Sequence, residues 1–200
     1  MEDIYKTIEA FSEGIYTEKR SKFIACAFPV SSEEKVKKIL DEHKKKYYDA
    51  RHICWAYMLG HERKDFRSND DGEPSGTAGK PILGQINSNE LTDILILVIR
   101  YFGGTKLGTS GLIVAYREAA SLAIQSADIV EKTVDDTITI QFDYEAMNSV
   151  MKIMKDTNLK ILDQNFDLRC SLKVRIRQSL SQGLINQLNK VEGVSVSYSK

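Results

Sequence analysis

The sequence lacks an excess of charge, a disulfide framework and any long apolar run. Lys and Arg total 28 and so do Asp and Glu, so attraction to nucleic acid or to a membrane must be local. The three cysteines, Cys26, Cys54 and Cys170, are scattered and odd in number, which fits a reducing cytosol. The longest apolar run, residues 94–99, is too short to cross a bilayer. Residues 1–6 lack the features of a signal peptide, so a cytoplasmic protein without membrane contact is expected.

The composition and length indicate an α+β protein of two domains. A content of 42% hydrophobic and 28% charged residues is that of an ordinary globular protein, and 200 residues are enough for two small domains. The apolar pattern breaks around residues 128–136. We therefore expect one domain over residues 1–130 and a second over residues 135–200.

The first domain alternates strands and helices around one loop-rich segment. Ser31 and Glu34 form a capping box before a helix, and Thr109 or Ser110 is expected to cap a later one. The spacing of apolar residues predicts a hairpin around 12–28, a helix over 32–47 and a strand over 51–59. A loop-rich segment over 60–90 is expected to follow, and then a buried strand over 93–102 and a helix to about 127.

The second domain has the order βαββαβ. Its strands are predicted over 138–142, 159–164, 168–176 and 194–198, and its helices over 144–154 and 180–191. This order is that of a ferredoxin-like split unit. Three of the four strands alternate apolar and polar residues, which predicts helices on one side of the sheet and an open polar side on the other.

Two polar, glycine-rich motifs predict a ligand-binding cleft. The first runs over residues 70–81, and the second, over residues 100–108, joins a strand to a helix whose amide groups could hold an anion. Neither a Walker loop nor a dinucleotide fingerprint is present, and a tight connection that needs glycine is the alternative. The cleft residues are expected to be His52, Trp55, Asp70, Asp71, Gly72, Glu73, Ser75, Gly76, Thr77, Gly79, Lys80, Arg100, Tyr101, Phe102, Gly103, Gly104, Lys106, Gly108 and Gly111.

The acidic residues of the first motif are the candidates for metal binding or acid–base chemistry. Asp70, Asp71 and Glu73 could hold Mg²⁺, or they could belong to a solvated turn. Their spacing matches no known ligand loop, so no metal and no other cofactor is expected, and the carboxylates of Asp70 and Asp71 should be accessible to solvent. His52, Cys54 and His61 form an incomplete zinc set.

No catalytic arrangement of nucleophile, base and acid stands out in the sequence, so an enzymatic function is less favoured than a binding function. Three aromatic side chains, Trp55, Tyr57 and Tyr101, could stack on bases. For the first two, core packing is the better interpretation because they alternate within a buried strand.

One strand of the second domain carries a row of cations. Arg169, Lys173, Arg175 and Arg177 share its polar face. This pattern predicts either contact with an RNA backbone or a solvated face. An RNA contact here would recognise the shape or the sugar-phosphate backbone of the RNA, because the sheet lacks the aromatic platform of an RNA-recognition motif.

The motifs resemble the signatures of the YigZ/Impact family. The resemblance covers about the first 128 residues and rests on the segment from His52 to Tyr57, on residues 70–81 and 100–108, and on Gly111 with Leu112. It implies a first domain like domain 2 of ribosomal protein S5 and a ferredoxin-like second domain like the C-terminal domain of elongation factor G. It also implies a role in translation control, because eukaryotic relatives restrain a translation-control kinase by competing for its activator.

The chain departs from the family pattern at two positions near the second motif. Ser110 stands where relatives carry a glycine, and Val114 stands where they often carry a basic residue. Arg100, Lys106 and Arg117 are then left to supply positive charge near the loop.

The expected function is that of a cytosolic protein that binds RNA or the ribosome in translation regulation. In this reading the cleft recognises a phosphate-bearing group, and the basic strand holds nucleic-acid backbone. The alternatives are an enzyme that acts on a phosphorylated small molecule with Mg²⁺ at Asp70, Asp71 or Glu73, and an adaptor that docks a protein partner.

Overall fold

The structure, a computed structural model, describes residues 3–157 and 159–199. The chain divides into two compact units. The first comprises Tyr5–Lys132, and the second begins at Thr133 and also includes Asp3 and Ile4. The sequence assigns those two residues to the first domain. Residues 1 and 200, the outer limits of the expected domains, lie outside the described range.

The first part of the chain, to residue 133, contains seven strands and three helices. The strands are β1 (Ile4–Ile8), β2 (Ser12–Glu18), β3 (Ser21–Pro29), β4 (His52–Leu59), β5 (Asp65–Asn69), β6 (Ile94–Tyr101) and β7 (Ile129–Thr133). The helices are α1 (Glu33–Lys46), α2 (Gly79–Ser88) and α3 (Gly108–Gln125). Strands β1 and β7 form a two-stranded sheet of their own.

The main sheet of the first unit is antiparallel and covered on both faces. Its five strands lie in the order β2-β3-β6-β4-β5. On one face Ile96 and Val98 belong to an apolar cluster with α2 and α3, and on the other Leu95 and Leu97 belong to a cluster with α1. Because β6 lies in the middle, both of its faces are buried, which explains its unbroken apolar sequence.

The predicted hairpin, the buried strand and the helices at 32–47 and 108–125 are confirmed, and their ends differ slightly from expectation. Helix α1 is capped by Ser32, whose hydroxyl accepts from the Lys35 amide, so the cap lies one residue after Ser31. Helix α3 already begins at Gly108, before both of its expected caps. No described side chain caps it.

The segment over residues 60–90, expected to be loop-rich, also contains two elements that the sequence did not predict. This segment contains β5, whose residues are all exposed at the sheet edge, and the ten-residue helix α2. Ile82 and Ile86, four positions apart, bury one side of α2, and Pro81 lies in its first turn, where proline is tolerated. The polar motif before the helix obscures this short apolar pattern.

The second unit has the expected order βαββαβ. Its elements are β8 (Asp135–Phe142), α4 (Met147–Thr157), β9 (Lys160–Phe166), β10 (Cys170–Arg177), α5 (Gln178–Leu188) and β11 (Val194–Tyr198), with one 3₁₀ turn, Tyr144–Ala146, before α4. The antiparallel sheet has the order β11-β8-β10-β9. Val150 of α4 and Leu184 of α5 pack with apolar residues on one face of this sheet. Within the described part of the chain, no helix is long and apolar enough to cross a membrane.

Candidate functional site

A cleft of about 990 Å³ opens in the first unit where β4 begins and β6 ends. It is lined by some of the residues of both motifs and by others that the sequence did not single out. The predicted residues in its wall are His52, Glu73, Arg100, Tyr101, Phe102, Lys106 and Gly108. The further residues are Asp49, Ala50, Arg51, Pro74, Leu107, Thr109 and Leu112. Most of the missed residues are sequence neighbours of predicted ones, so a wider window around each motif would have included them.

Glu73 forms the buried wall of this cleft. Its side chain is only 3% exposed. One carboxylate oxygen accepts hydrogen bonds from Nη1 of Arg100 and from the hydroxyl of Tyr116, which is 2.8 Å away. The other oxygen lies 3.8 Å from Nε2 of His52. The carboxylate is therefore paired with a cation and a hydroxyl, as a buried charge must be.

His52 has a fixed orientation beside Glu73. Its Nδ1 lies 2.7 Å from the backbone oxygen of Asp71. Because a carbonyl oxygen can only accept, Nδ1 carries the proton, and in the neutral ring Nε2 is left as an acceptor. The side chain thus presents a hydrogen-bond acceptor, or a donor when protonated, to the cleft.

Behind Glu73 the network continues to Tyr116 and Cys54, which do not have the properties of nucleophiles. The Cys54 sulfur lies 3.0 Å from the backbone oxygen of Asp70 and 3.3 Å from the Tyr116 hydroxyl. Burial raises the pKa of the Cys54 thiol well above its usual range, and burial likewise raises the pKa of the Tyr116 hydroxyl. Both groups stay protonated at neutral pH and act as hydrogen-bonding members of the core.

Arg100 is the cation at the inner end of the cleft. The residue is 6% exposed, and its guanidinium lies 5.6 Å from the ring centre of Phe23 and 5.7 Å from that of Phe102. Among the described residues its Nε has no hydrogen-bond partner. Glu73 therefore uses only part of the hydrogen-bonding capacity of this side chain.

Asp70 holds the first motif in shape. Its Oδ2 accepts from the Gly76 amide at 2.8 Å, and its Oδ1 accepts from the amides of Ala78 at 3.1 Å and Gly79 at 2.7 Å. These amides precede and begin α2, so Asp70 caps that helix from a distant position in the sequence. Asp70 is partly exposed, in line with the expected access to solvent, but backbone amides occupy both of its carboxylate oxygens.

Asp71 links the first motif to the main sheet of the first unit by a hydrogen bond. The residue is exposed, as expected, and its φ is +43°. Its Oδ2 nevertheless accepts from the Ile53 amide at 2.6 Å, and its own amide donates to Asn69. The carboxylates proposed for Mg²⁺ are thus engaged by the protein itself. Within residues 3–157 and 159–199, no group of His, Cys, Asp or Glu side chains is placed to hold a metal ion.

The remaining predicted residues of the two motifs lie outside the lining of the cleft. Gly103 shows why glycine is needed, because a Cβ at this position would lie 2.1 Å from the carbonyl carbon of Arg20 in the β2–β3 turn. A Cβ at Gly79 would lie 2.7 Å from the Asn69 amide. The other predicted residues outside the lining are Gly72, Ser75, Gly76, Thr77, Lys80, Gly104 and Gly111.

Trp55, which was predicted as a cleft residue, lies outside the lining of the cleft. It packs against the apolar cluster that includes Val36 and Leu40 of α1. Its ring is nearly parallel to that of Tyr57, with centroids 6.0 Å apart. Core packing, the alternative interpretation of these two aromatic residues, agrees with this arrangement.

In the second unit, the sheet face opposite α4 and α5 carries the predicted cations unequally. Lys173 and Arg175 point to this open face. Arg177, at the end of β10, instead gives two hydrogen bonds to the Asp3 carboxylate, at 2.7 and 2.6 Å. These hydrogen bonds, with one from Ser179, hold the pKa of Asp3 well below its usual range. Arg169 lies in the bend before β10 and is exposed.

A cation that the sequence did not single out joins the open face. Lys160 of β9 is directly paired with Arg175 of β10, so both side chains lie on the same side of the sheet. The β9–β10 register shifts between Lys173 and Val174, and this irregularity could not be read from the alternation of residues. We call Lys160, Lys173 and Arg175 the basic face.

More than half of the chain matches a known protein family. The model of the Impact N-terminal domain matches residues 19–124. The IMPACT family member YvyE of Bacillus subtilis (strain 168) is 32% identical over 162 residues, which cover 81% of this chain and 75% of that protein. The IMPACT family member YigZ of Escherichia coli (strain K12) is 31% identical over 160 residues, covering 79% of this chain and 78% of that protein.

A solved structure extends this similarity to the whole chain. It is the crystal structure of a protein described as hypothetical, with a TM-score of 0.75 and 25% sequence identity. The match covers 100% of this chain and 99% of that chain. The similarity therefore includes the second unit as well as the first.

Proposed function

Because this chain belongs to the Impact family, we propose that it is a binding protein of translation regulation whose basic face holds the sugar-phosphate backbone of RNA. The role of eukaryotic relatives in translation control, which the motif resemblance implies, supports this setting. The proposed partners are RNA or the ribosome, and a cytoplasmic location follows from that choice.

One observation carries the RNA proposal. Arg175 and Lys160 are both exposed and lie directly opposite each other on neighbouring antiparallel strands. Like charges in such a pair destabilise a sheet, and a bound phosphate between them would remove the repulsion. Within the described part of the chain, no carboxylate lies within ion-pairing distance of either side chain.

The surroundings of this pair favour an extended polyanion. Lys173 lies two positions from Arg175 on the same face, opposite Asp163 of β9. The neighbouring open-face residues carry hydroxyl and amide groups, which commonly contact phosphate and ribose. They are Thr137, Thr139, Gln141, Ser171, Asn165, Ser195 and Ser197.

For the finer fold assignment, we propose that the first unit shares the fold of domain 2 of ribosomal protein S5. For the second we propose the fold of the C-terminal domain of elongation factor G. The motif resemblance supports both assignments, and the βαββαβ order with strands β11-β8-β10-β9 supports the second. The cleft of the first unit is the proposed site for a phosphate-bearing ligand, with Arg100 as its inner cation.

The RNA proposal is tested by measuring the affinity for a fluorescently labelled single-stranded RNA at low salt. The variant Lys160→Gln, Lys173→Gln, Arg175→Gln should bind at least about tenfold more weakly, because it loses three phosphate contacts. Its matched control removes three exposed cations of the same unit, Lys152, Lys155 and Lys190, on and after its helices. The control should stay within about twofold of the wild type. Equal losses in both variants, or no binding by the wild type, would contradict the proposal and favour a protein partner.

A further inference from the structure

The geometry points to a phosphate monoester, the terminal phosphate of a nucleotide or of an RNA 5′ end, as the ligand of the Arg100 cleft. This inference rests on the proposed function of the cleft and specifies the chemistry that the cleft selects. It is independent of the basic face, which belongs to the other unit.

Arg100 is the first reason to expect an anion. It is more than nine-tenths buried, it lines the cleft, and its Nε is without a partner among the described residues. A buried guanidinium with unused donors gains from an oxyanion that supplies further acceptors. Oxyanions with several oxygens, such as phosphate, match this planar donor group well.

The start of α3 adds donors beside that cation. Gly108 and Thr109, in the first turn of this 18-residue helix, line the cleft. Their amides have no intrahelical acceptor, and no described side chain caps them. The helix dipole also favours negative charge at this end, so the amides and the guanidinium act on the same ligand.

The charges of the cleft wall are positive on balance. The lining contains three cations, Arg51, Arg100 and Lys106, and two carboxylates, those of Asp49 and Glu73. Both carboxylates already accept hydrogen bonds from protein groups, Asp49 from the Tyr101 hydroxyl at 3.0 Å and Glu73 from Arg100. Arg51 and Lys106 are exposed, so they are free to turn toward a ligand.

The acceptors in the wall distinguish a monoester from a diester. Oε2 of Glu73 and, in the neutral ring, Nε2 of His52 lie 3.8 Å apart, and each is able to accept a hydrogen bond from a ligand. A phosphate monoester has its second pKa near neutrality, at about 6, so its singly protonated form can donate a hydroxyl to these acceptors. A phosphodiester within a chain has no such proton. A diester also continues on both sides of its phosphate, whereas a monoester can place its terminal phosphate against the buried Glu73–Arg100 pair.

Phe102 favours a nucleotide over a free phosphate ion. It is half exposed at the cleft, next to the Arg100 guanidinium. An exposed ring beside a phosphate site provides a surface on which a base can stack. The ligand class is therefore a 5′-phosphorylated nucleotide, either free or at the end of an RNA.

The test compares three probes: a short RNA with a 5′-phosphate, the same RNA with a 5′-hydroxyl, and adenosine 5′-monophosphate. The wild type should bind the 5′-phosphorylated RNA about tenfold more tightly than the 5′-hydroxyl RNA, which corresponds to about 1.4 kcal/mol. The variant Arg51→Gln, Lys106→Gln, which leaves the buried network intact, should reduce this preference to within about twofold. The control variant Lys38→Gln, Lys45→Gln removes two exposed cations of α1 and should keep the full preference.

The outcomes separate this inference from the proposed RNA function. Equal affinity of the wild type for the two RNAs would overturn the inference, and binding that still depends on the basic face would leave the RNA function standing. If the Arg51→Gln, Lys106→Gln variant kept the preference for the 5′-phosphorylated RNA, the inference would also be overturned. The 5′-phosphate would then be bound at another site. Binding of adenosine monophosphate without binding of either RNA would support the monoester site and contradict the RNA function.

Discussion

At the scale of single residues, two acidic side chains of the first motif have different surroundings although they are close in sequence. Asp70 accepts three backbone amide hydrogen bonds that shape the motif and begin α2. Glu73 is instead directed to the cleft wall, where Arg100 and Tyr116 donate to it. Asp70 therefore builds the frame of the site, and Glu73 forms part of its surface.

The substitution Asp70→Asn should destabilise the first unit. The amide group would replace one acceptor oxygen with a donor that faces backbone N–H groups, and the loss of free energy of unfolding should be about 1–3 kcal/mol. Trp55 is the only tryptophan of the sequence and lies in the first unit, so its fluorescence during denaturant unfolding measures this change. The control Asp65→Asn, at an exposed position of β5, should change the value by less than about 0.5 kcal/mol. Equal stability of the two variants would contradict the capping role.

The sequence identified the important residues of the first motif more successfully than it predicted their contacts and roles. It singled out both Asp70 and Glu73, but an accessible carboxylate was the expectation for Asp70. The reason is that Asp70 bonds to amides six to nine positions later, which is not a local capping pattern. Lys160 was missed because its place on the basic face depends on the irregular β9–β10 register.

At the scale of elements, the contact between the second motif and the β2–β3 turn explains one glycine of the family pattern. A Cβ on Gly103 would lie 2.1 Å from the backbone of Arg20 and 2.3 Å from the Ser21 amide. The Gly103 amide also donates to the Ser21 hydroxyl at 3.1 Å. The hairpin turn thus holds the loop that leads to the start of α3.

Replacing Gly103 with alanine should lower the stability of the first unit by about 1–3 kcal/mol, because the backbone of the turn must move. A second alanine variant provides the comparison. Gly84 lies within α2 with nothing near its missing Cβ, so Gly84→Ala should raise stability by about 0.5–1 kcal/mol. The measurement is again denaturant unfolding followed by Trp55 fluorescence. Shifts of the same sign in both variants would disprove the close-contact explanation.

Elements with long apolar patterns could be predicted from the sequence, and short ones within polar segments could not. The alternation in β10 and the unbroken apolar run of β6 have simple physical causes, a half-covered and a fully covered sheet. Strand β5 is exposed along its whole length, so it has no buried side to mark it. The first motif follows β5 and the second begins at the end of β6, and both strands pair with β4. The spacing of residues in the sequence does not reveal this pairing, so the cleft could not be derived from it.

At the scale of the whole molecule, the beginning of the chain is attached to the second unit. The Asp3 carboxylate accepts two hydrogen bonds from Arg177 and one from the Ser179 amide, at 3.0 Å. The residue is 6% exposed. The second unit, which begins at Thr133, is therefore completed by residues from the other end of the sequence.

This attachment should make stability depend on pH in the acid range. The Arg177 and Ser179 hydrogen bonds lower the folded-state pKa of Asp3 below its unfolded value of about 3.9, so the ionised carboxylate stabilises the fold. The contribution is full above the unfolded pKa and is lost as the pH falls toward the folded pKa. The wild type should thus exceed Asp3→Asn in stability by a constant amount above about pH 5, and the difference should shrink below about pH 4.

Denaturant unfolding at a series of pH values, followed by circular dichroism, measures that difference. The part of the transition reported by Trp55 fluorescence provides an internal control, because Trp55 belongs to the first unit and should respond little to the Asp3 substitution. A stability difference that is the same at pH 2 and pH 7 would show that the ionised form of Asp3 is not the stabilising one.

The zero net charge of the molecule makes the basic face a local feature, and the salt dependence of RNA binding tests it most directly. Single-stranded RNA releases about 0.7 counterions per neutralised phosphate, so three contacts correspond to a slope of about 2 in log affinity against log salt. The variant Lys160→Gln, Lys173→Gln, Arg175→Gln should have a slope shallower than that of the wild type by about this amount. An unchanged slope, or the same reduction in the Lys152→Gln, Lys155→Gln, Lys190→Gln control, would contradict the assignment of RNA to this face.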